Sequence, residues 1–363
     1  MSNIRIFQYT HFLKTGDGVG NDVLAIHKFL TEQKKIDARI FYGVTAERFN
    51  SGKIKSIDHA VETKDDDILM IHVSTEWDYM DTLCELKGRK IFVYHNITPP
   101  EFFEDYSFHV YENCKKGLEE LKRCKDKADY CLADSEFNKS DLVKYGYECP
   151  IDVLPIIIPF DDYKQPVDEA FASELSDGKT NILFVGRIAP NKKQEDIILS
   201  FYHYKKYYNP DSRLILLGGY DENDKYYQKL LKYIEEIGVE DVRLTSHIPF
   251  KQVLAIFKSA HLFLCLSEHE GFCIPLLEAM SFEIPIIAYD STAVKDTLGG
   301  GGILIKEKNP LEIAGLMDYV LKHEDIVSTI KERQKERLEE MKYENVTGKL
   351  WDYLTKFEPG LLQ

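Results

Sequence analysis

Residues 261–266 read His261-Leu262-Phe263-Leu264-Cys265-Leu266, and the chain continues Ser267-Glu268-His269-Glu270-Gly271-Phe272-Cys273-Ile274-Pro275-Leu276-Leu277-Glu278-Ala279-Met280. A second apolar run, Ile284-Pro285-Ile286-Ile287-Ala288, comes soon after. The first run is short, apolar throughout and not alternating, which suits a strand in a parallel sheet covered on both faces. Gly271 permits a tight turn after it. Pro275 fits the first turn of a helix, where its missing N–H costs nothing. The stretch therefore reads as strand, loop, helix, strand, the repeating unit of an α/β fold.

The same pattern extends outward. Residues 181–185, 213–217 and 242–244 are further strands, with helical spacing over 193–208, 224–237 and 252–258. Residues 310–322 look helical, and 326–357 mostly so. In the N-terminal half, strands are expected at 4–9, 38–42, 68–73, 91–95, 130–134 and 151–154, with a helix over 21–30. Between the halves, 155–172 carries Pro155, Pro159 and Pro166 among acidic residues, and reads as a connection. The fold class is thus α/β, two doubly wound Rossmann-like domains: 1–160, and 161–340. Ligands of open α/β sheets bind beyond the carboxyl ends of the strands, so chemistry is sought in the loops there.

Composition narrows the choices. The chain has 363 residues, 44% hydrophobic and 12% aromatic, enough for two cores. With 46 basic and 61 acidic residues its formal charge is −15, which excludes a general nucleic-acid binder. An anionic ligand would need a local cationic cluster. Seven cysteines without a C-x-x-C spacing read as reduced thiols of a cytoplasmic protein, not as a zinc site. No signal peptide is legible at the N-terminus, and no apolar run approaches the length of a membrane span. Lys115, Lys116, Lys122, Arg123, Lys125 and Lys127 lie along one expected helix, a possible weak contact with the inner face of a membrane or a solvated face, being interleaved with Glu112, Glu119, Glu120 and Asp126. Asp65-Asp66-Asp67 reads as a solvated charge run, and no metal is expected.

Four loops carry chemistry. After the strand at 261–266, the N–H groups around Phe272, Cys273 and Ile274 are free at the positive end of a helix, an anion site. Glu270 stands at its mouth and Glu278 about one turn in, where a carboxylate can accept two hydrogen bonds from a vicinal diol. Alone, the pair also reads as a capping acid and a solvent-facing residue. After the strand at 181–185, Gly186, Arg187 and Lys192 stand in Val185-Gly186-Arg187-Ile188-Ala189-Pro190-Asn191-Lys192, where the two cations could clamp a diphosphate or be solvated on a turn. After the first strand, Gly16-Asp17-Gly18-Val19-Gly20 could bring backbone against phosphate or be a plain turn; it lacks the dinucleotide spacing. After the strand at 91–95, His95 in His95-Asn96-Ile97-Thr98-Pro99 could bond a substrate oxygen or simply satisfy the backbone.

Together these segments resemble the retaining glycosyltransferases of family 4, of GT-B fold. The E-G-F-C-I-P-L-L-E segment resembles that family's E-x7-E motif, with Cys273 where Gly or another small residue is usual. V-G-R-x-x-P-x-K matches at Gly186, Arg187, Pro190 and Lys192. Ala133-Asp134-Ser135-Glu136-Phe137 resembles an A-x-S-x-F segment, Asp296 stands where Glu is more usual, and H-N-I-T-P resembles the catalytic-histidine segment of a bacterial and archaeal subgroup.

The resemblance implies a metal-independent hexosyltransferase without cofactor, whose substrate is a UDP- or GDP-sugar. Arg187 and Lys192 would hold the diphosphate, Glu270 and the loop Gly271, Phe272, Cys273 and Ile274 the sugar, and Glu278 the ribose. His247 and Ile248 would read the base, Gly18 and Gly20 would approach phosphate or acceptor, and His95 would contact the sugar. Catalysis would rest on His95, Glu270, Arg187 and Lys192. It also implies a cleft between the domains, a helical segment 341–363 returning to the first, and a saccharide or lipid-linked saccharide acceptor on the first domain. His72, Ser74, Thr75, Glu76 and Trp77 are candidates there, with packing the other reading of Trp77. A non-catalytic nucleotide-sugar binder and a sugar-nucleotide epimerase are the alternatives; a phosphorylase lacks its pyridoxal lysine context. Oligomeric state is open.

Overall fold

The computed structural model describes residues 4–49 and 51–362. The chain divides into two compact units. One takes the chain up to Pro100, His109–Pro159 and everything from Glu340 onward; the other takes Glu101–Phe108 and Phe160–Glu339.

The first unit is built on seven parallel strands: β1 (Arg5–Phe12), β2 (Asp37–Val44), β3 (Ile54–Ser56), β4 (Ile68–Val73), β5 (Arg89–Tyr94), β6 (Tyr130–Ala133) and β7 (Ile151–Val153). Their order is β3-β2-β1-β4-β5-β6-β7. Side chains alternate across a strand, so each apolar run feeds two cores. Phe7, Leu69, Ile71, Phe92 and Tyr94 pack on one face. Ile6, Ile68, Met70, Ile91 and Val93 pack on the other. That division explains why β4 is buried at every position. The helix Tyr343–Phe357 closes the second face: Val346, Leu350 and Leu354, one turn apart, enter the cluster of Ile6 and Met70.

The second unit holds β8 (Thr180–Val185), β9 (Ser212–Leu217), β10 (Val242–Thr245), β11 (Leu262–Cys265), β12 (Ile286–Tyr289) and β13 (Ile303–Ile305), all parallel, in the order β10-β9-β8-β11-β12-β13. The short strands β3 and β13 escape a reading based on apolar runs, because three residues are too few to carry one.

Three sequence expectations are corrected. Glu101–Phe108 lies in the first half of the chain yet belongs to the second unit, where Tyr106 meets Tyr226 edge-on at 5.2 Å and Phe102 faces His269 at 6.1 Å. The Asp65–Asp67 run is not wholly solvated: Asp67 is buried, and Arg5 grips both its oxygens at 2.8 and 2.6 Å. The helical residues 326–357 break into Glu324–Glu340 and Tyr343–Phe357, one in each unit but for its last residue.

Among the described residues no helix is long and apolar enough to cross a membrane. In the 115–127 stretch, Arg123 pairs with Asp81 at 2.9 Å and Lys127 with Glu85 at 2.6 Å.

Leu350 is fully buried. Leu350→Ala is expected to destabilise the first unit by about 2–5 kcal/mol through lost contacts and a residual cavity. Urea unfolding followed by far-ultraviolet dichroism measures this; a change below about 1 kcal/mol would mean that the terminal helix is not part of that core.

Candidate active site

Strand order in the second unit reverses between β8 and β11, the place where open α/β sheets bind ligands. Leu262 pairs with Ile182 and Phe263 with Leu183, so both strands end at the same edge. The loop after β8 carries Gly186, Arg187 and Lys192. The loop after β11 carries Glu270, Gly271, Phe272 and Cys273 and opens the helix Ile274–Ser281. Asn191 stitches the two together: its carbonyl accepts from the Glu268 N–H at 2.9 Å, and its Nδ2 donates to the His269 carbonyl at 3.0 Å.

The loop is also held from the other side. Ser291 Oγ donates to the Ser267 carbonyl at 2.6 Å. Thr292 Oγ1 accepts from the Glu270 N–H at 2.8 Å, and Thr297 Oγ1 donates to the Phe272 carbonyl. Lys308 reaches Asp196 and Glu268, each at 2.6 Å. These partners follow β12 and β13, and hydroxyls in no recognisable pattern gave the sequence reading no signal.

Lys192 Nζ sits 2.5 Å from Glu270 Oε2, with both side chains mostly buried. Burial works against the ammonium, but Glu270 outweighs it and holds the Lys192 pKa above the ordinary lysine value. Arg187 is exposed, and its guanidinium has no ion-pair partner among the described residues. Phe272, Cys273 and Ile274 present N–H groups that meet no acceptor among the described residues. Glu278 accepts from Tyr163 Oη at 2.7 Å through one oxygen, which leaves the other for a ligand. Burial raises the Glu278 pKa, and Tyr163 opposes the rise. Tyr163 lies in the stretch read as a connection, so its part was not foreseen. Its ring packs near Phe250 and Phe282.

The glycines serve close approach. A Cβ on Gly218 would lie 2.1 Å from the Gly186 carbonyl oxygen, so the ends of β8 and β9 meet through bare backbone. A Cβ on Gly219 would strike the exposed His247 ring at 2.4 Å; Ile248 is half-buried beside it.

Residues 167–337 match the family model described as Glycosyl transferases group 1. The match lies within the second unit. Among curated relatives, an O-antigen chain mannosyltransferase B of Escherichia coli is 20% identical over 245 residues, covering 64% of this chain and 60% of its own. A GDP-mannose:cellobiosyl-diphosphopolyprenol alpha-mannosyltransferase of Xanthomonas oryzae pv. oryzae is 36% identical over 141 residues, covering 38% of this chain and 36% of its own. The chain thus spans between about a third and three fifths of the length of these relatives. Among solved structures, sucrose-phosphate synthase of Thermosynechococcus elongatus superposes with a TM-score of 0.75 at 14% identity, covering 97% of this chain and 99% of that one. HepE of Anabaena, solved with UDP-glucose, gives 0.73 at 14%, covering 97% and 99%. At such identity these likenesses show the fold, two parallel-sheet α/β domains with a helical C-terminus.

The unit without the group 1 match places its candidates differently from expectation. His95 is no open group: its side chain is fully buried and both ring nitrogens are taken. Nδ1 lies 3.0 Å from Asp134 Oδ2, and Nε2 lies 2.8 Å from His72 Nδ1. His72 Nε2 reaches Gln8 Oε1 at 3.1 Å. Since Gln8 Oε1 only accepts, His72 carries its proton on Nε2 and accepts on Nδ1. With Asp134 ionised, His95 then donates from both nitrogens. Burial disfavours a charged ring, but Asp134 outweighs it and raises the His95 pKa; burial holds His72 well below the usual imidazole value. No ring nitrogen is left for a sugar hydroxyl.

The glycine loop closes on itself. A Cβ on Gly20 would fall 2.1 Å from the Lys14 carbonyl oxygen, and the Gly20 N–H caps back to Asp17 at 3.1 Å. Gly18 opens that helix. Trp77 is 5% exposed and stacks on His11 at 5.6 Å, so it packs the unit, while Ser74 and Thr75 are half-buried.

Asp22 lies close to His95 and accepts from the Ile157 N–H at 2.8 Å. Burial pushes its pKa up from 3.8 to about 7, against the pull of His95. The folded pKa exceeds the unfolded one, so stability is fully present below about pH 4 and is lost as pH rises through about 7. Asp22→Asn keeps an acceptor for Ile157 and is expected to flatten that decline, gaining on the parent as pH rises from 5 to 8. Urea midpoints at the two ends decide it; equal pH slopes would refute the assignment.

Proposed function

We propose that the protein is a glycosyltransferase that moves a hexose from a nucleoside-diphosphate sugar to a saccharide or lipid-linked saccharide, retaining the anomeric configuration and using no metal. The observation that carries this reading is the meeting of Arg187, the Lys192–Glu270 pair and the open N–H groups of Phe272, Cys273 and Ile274 at one strand-order reversal. The match of the same unit to the group 1 family model supports it. So do the printed names of the mannosyltransferase relatives and the nucleotide sugar held by HepE.

In this reading the diphosphate lies against the helix N-terminus, where backbone N–H groups and the helix dipole favour an anion. Arg187 and Lys192 stabilise the charge that grows on the leaving nucleoside diphosphate, a role a metal would otherwise fill. Because Lys192 already sits in an ion pair, it is oriented before the donor arrives. Glu270 keeps an oxygen for the sugar hydroxyls. The free oxygen of Glu278 takes the ribose, and His247 and Ile248 flank the base. The acceptor's proton passes to the leaving phosphate on the same face as attack. His95, whose ring nitrogens are both bonded within the first unit, is given no part in this donor site. GDP-mannose is the donor to try first, because the relative at 36% identity is named for it.

A thermal-shift screen without metal against GDP, UDP, ADP and their sugar conjugates identifies the donor, since selective binding to the folded state raises Tm. Arg187→Ala is expected to leave Tm of the free protein unchanged and to cut kcat/KM by about 100-fold or more; unaltered turnover would remove Arg187 from the diphosphate site. Transfer is expected to continue in excess EDTA. Loss restored by magnesium would overturn the metal-free reading.

A further inference from the structure

Behind the Lys192–Glu270 pair lie two thiols that this function does not use. Cys265 ends β11 and Cys273 precedes the helix Ile274–Ser281; both are buried. Cys265 Sγ, Cys273 Sγ and a Glu270 carboxylate oxygen all lie within 4.8 Å of one another. Cys273 stands at φ 72° and ψ 59°, a left-handed conformation that glycine adopts freely and a β-carbon strains. The fold thus holds a sulfur atom against Cys265 at a position where a side chain is costly. Such strain concentrates at functional sites.

We propose that Cys265, Cys273 and Glu270 form a site for a thiophilic divalent cation such as Zn2+ or Cd2+, whose occupation shuts the donor site. Two thiolates and a carboxylate are a soft, anionic donor set of the kind that selects these ions. A fourth position is left for water. Charge balances. The apo cluster, with two thiols, Glu270 as carboxylate and Lys192 as ammonium, is neutral. Binding one dication releases two thiol protons to solvent and leaves the cluster neutral again. Glu270 has one oxygen outside its 2.5 Å bond to Lys192, so an ion held there takes the oxygen assigned to the donor sugar and draws charge away from the partner of Lys192. The other thiol pairs differ. Cys131 and Cys149 lie 3.6 Å apart, and Cys84 neighbours Cys124. Neither pair joins a buried carboxylate or imidazole in a comparable cluster among the described residues.

The inhibitory half of the proposal rests on the donor-site reading, and the metal half does not. Cd2+ alone is titrated into the reduced full-length protein, following the ultraviolet thiolate-to-cadmium band and proton release. One tight equivalent is expected. Cys265→Ala and Cys273→Gly, the latter suited to its backbone, are expected to lose affinity by more than the about 10- to 100-fold that removal of an outer-shell partner costs. Glu270→Gln is expected to weaken binding, and Cys131→Ala to keep it. No tight equivalent in the parent, or parental affinity in the first two variants, would overturn the site. The identified nucleoside diphosphate is then added to the cadmium-loaded protein. Competition supports the full proposal. Tight cadmium binding without competition would leave the metal site standing and sink the donor-site reading of Glu270.

Discussion

Parallel pairing of β8 with β11 governs the second unit. These strands are far apart in sequence, yet Leu262 against Ile182 and Phe263 against Leu183 bring their carboxyl ends to one edge. From that register follow the stitching of the two loops by Asn191, the ion pair of Lys192 with Glu270, and the aim of the helix Ile274–Ser281. Without it the cations and the open N–H groups of Phe272, Cys273 and Ile274 would belong to separate surfaces. The pairing is supported by burial of Ile182, Leu183 and Phe184 of β8 and of all four residues of β11, which are apolar.

Ser291, Thr292 and Thr297 do a second job: they restrain the loop that Pro275 and Gly271 allow to form. A turn made only of permissive residues would sample many conformations. Hydroxyls that bond to the carbonyls of Ser267, Glu270 and Phe272 select one of them. The site is thus prepared by parts that are not themselves offered to a ligand.

Much of the fold was legible because the long strands are continuous apolar runs, and the motif loops follow them directly. The E-x7-E and V-G-R segments could be placed at strand ends from spacing alone. What escaped has physical reasons. β3 and β13 are too short to carry a pattern. Glu101–Phe108 joins the second unit through aromatic contacts that no periodicity announces. Tyr163 reaches Glu278 across 115 residues. The sequence offers His95 as an open group at a strand end, but its burial and its bonds to Asp134 and His72 depend on β4, β5 and β6 lying side by side in that order. A sequence displays each of these residues without their adjacency.

The chain Asp134–His95–His72–Gln8 has a consequence for how this protein can change. Each member satisfies the next, and the protonation of one ring dictates that of the other. Replacing His72 alone would strand His95 Nε2; replacing Gln8 alone would release the His72 tautomer. Substitutions at these four positions are therefore coupled: a change at one alters what a change at the next costs, because each leaves a neighbour's buried polar atom to be satisfied.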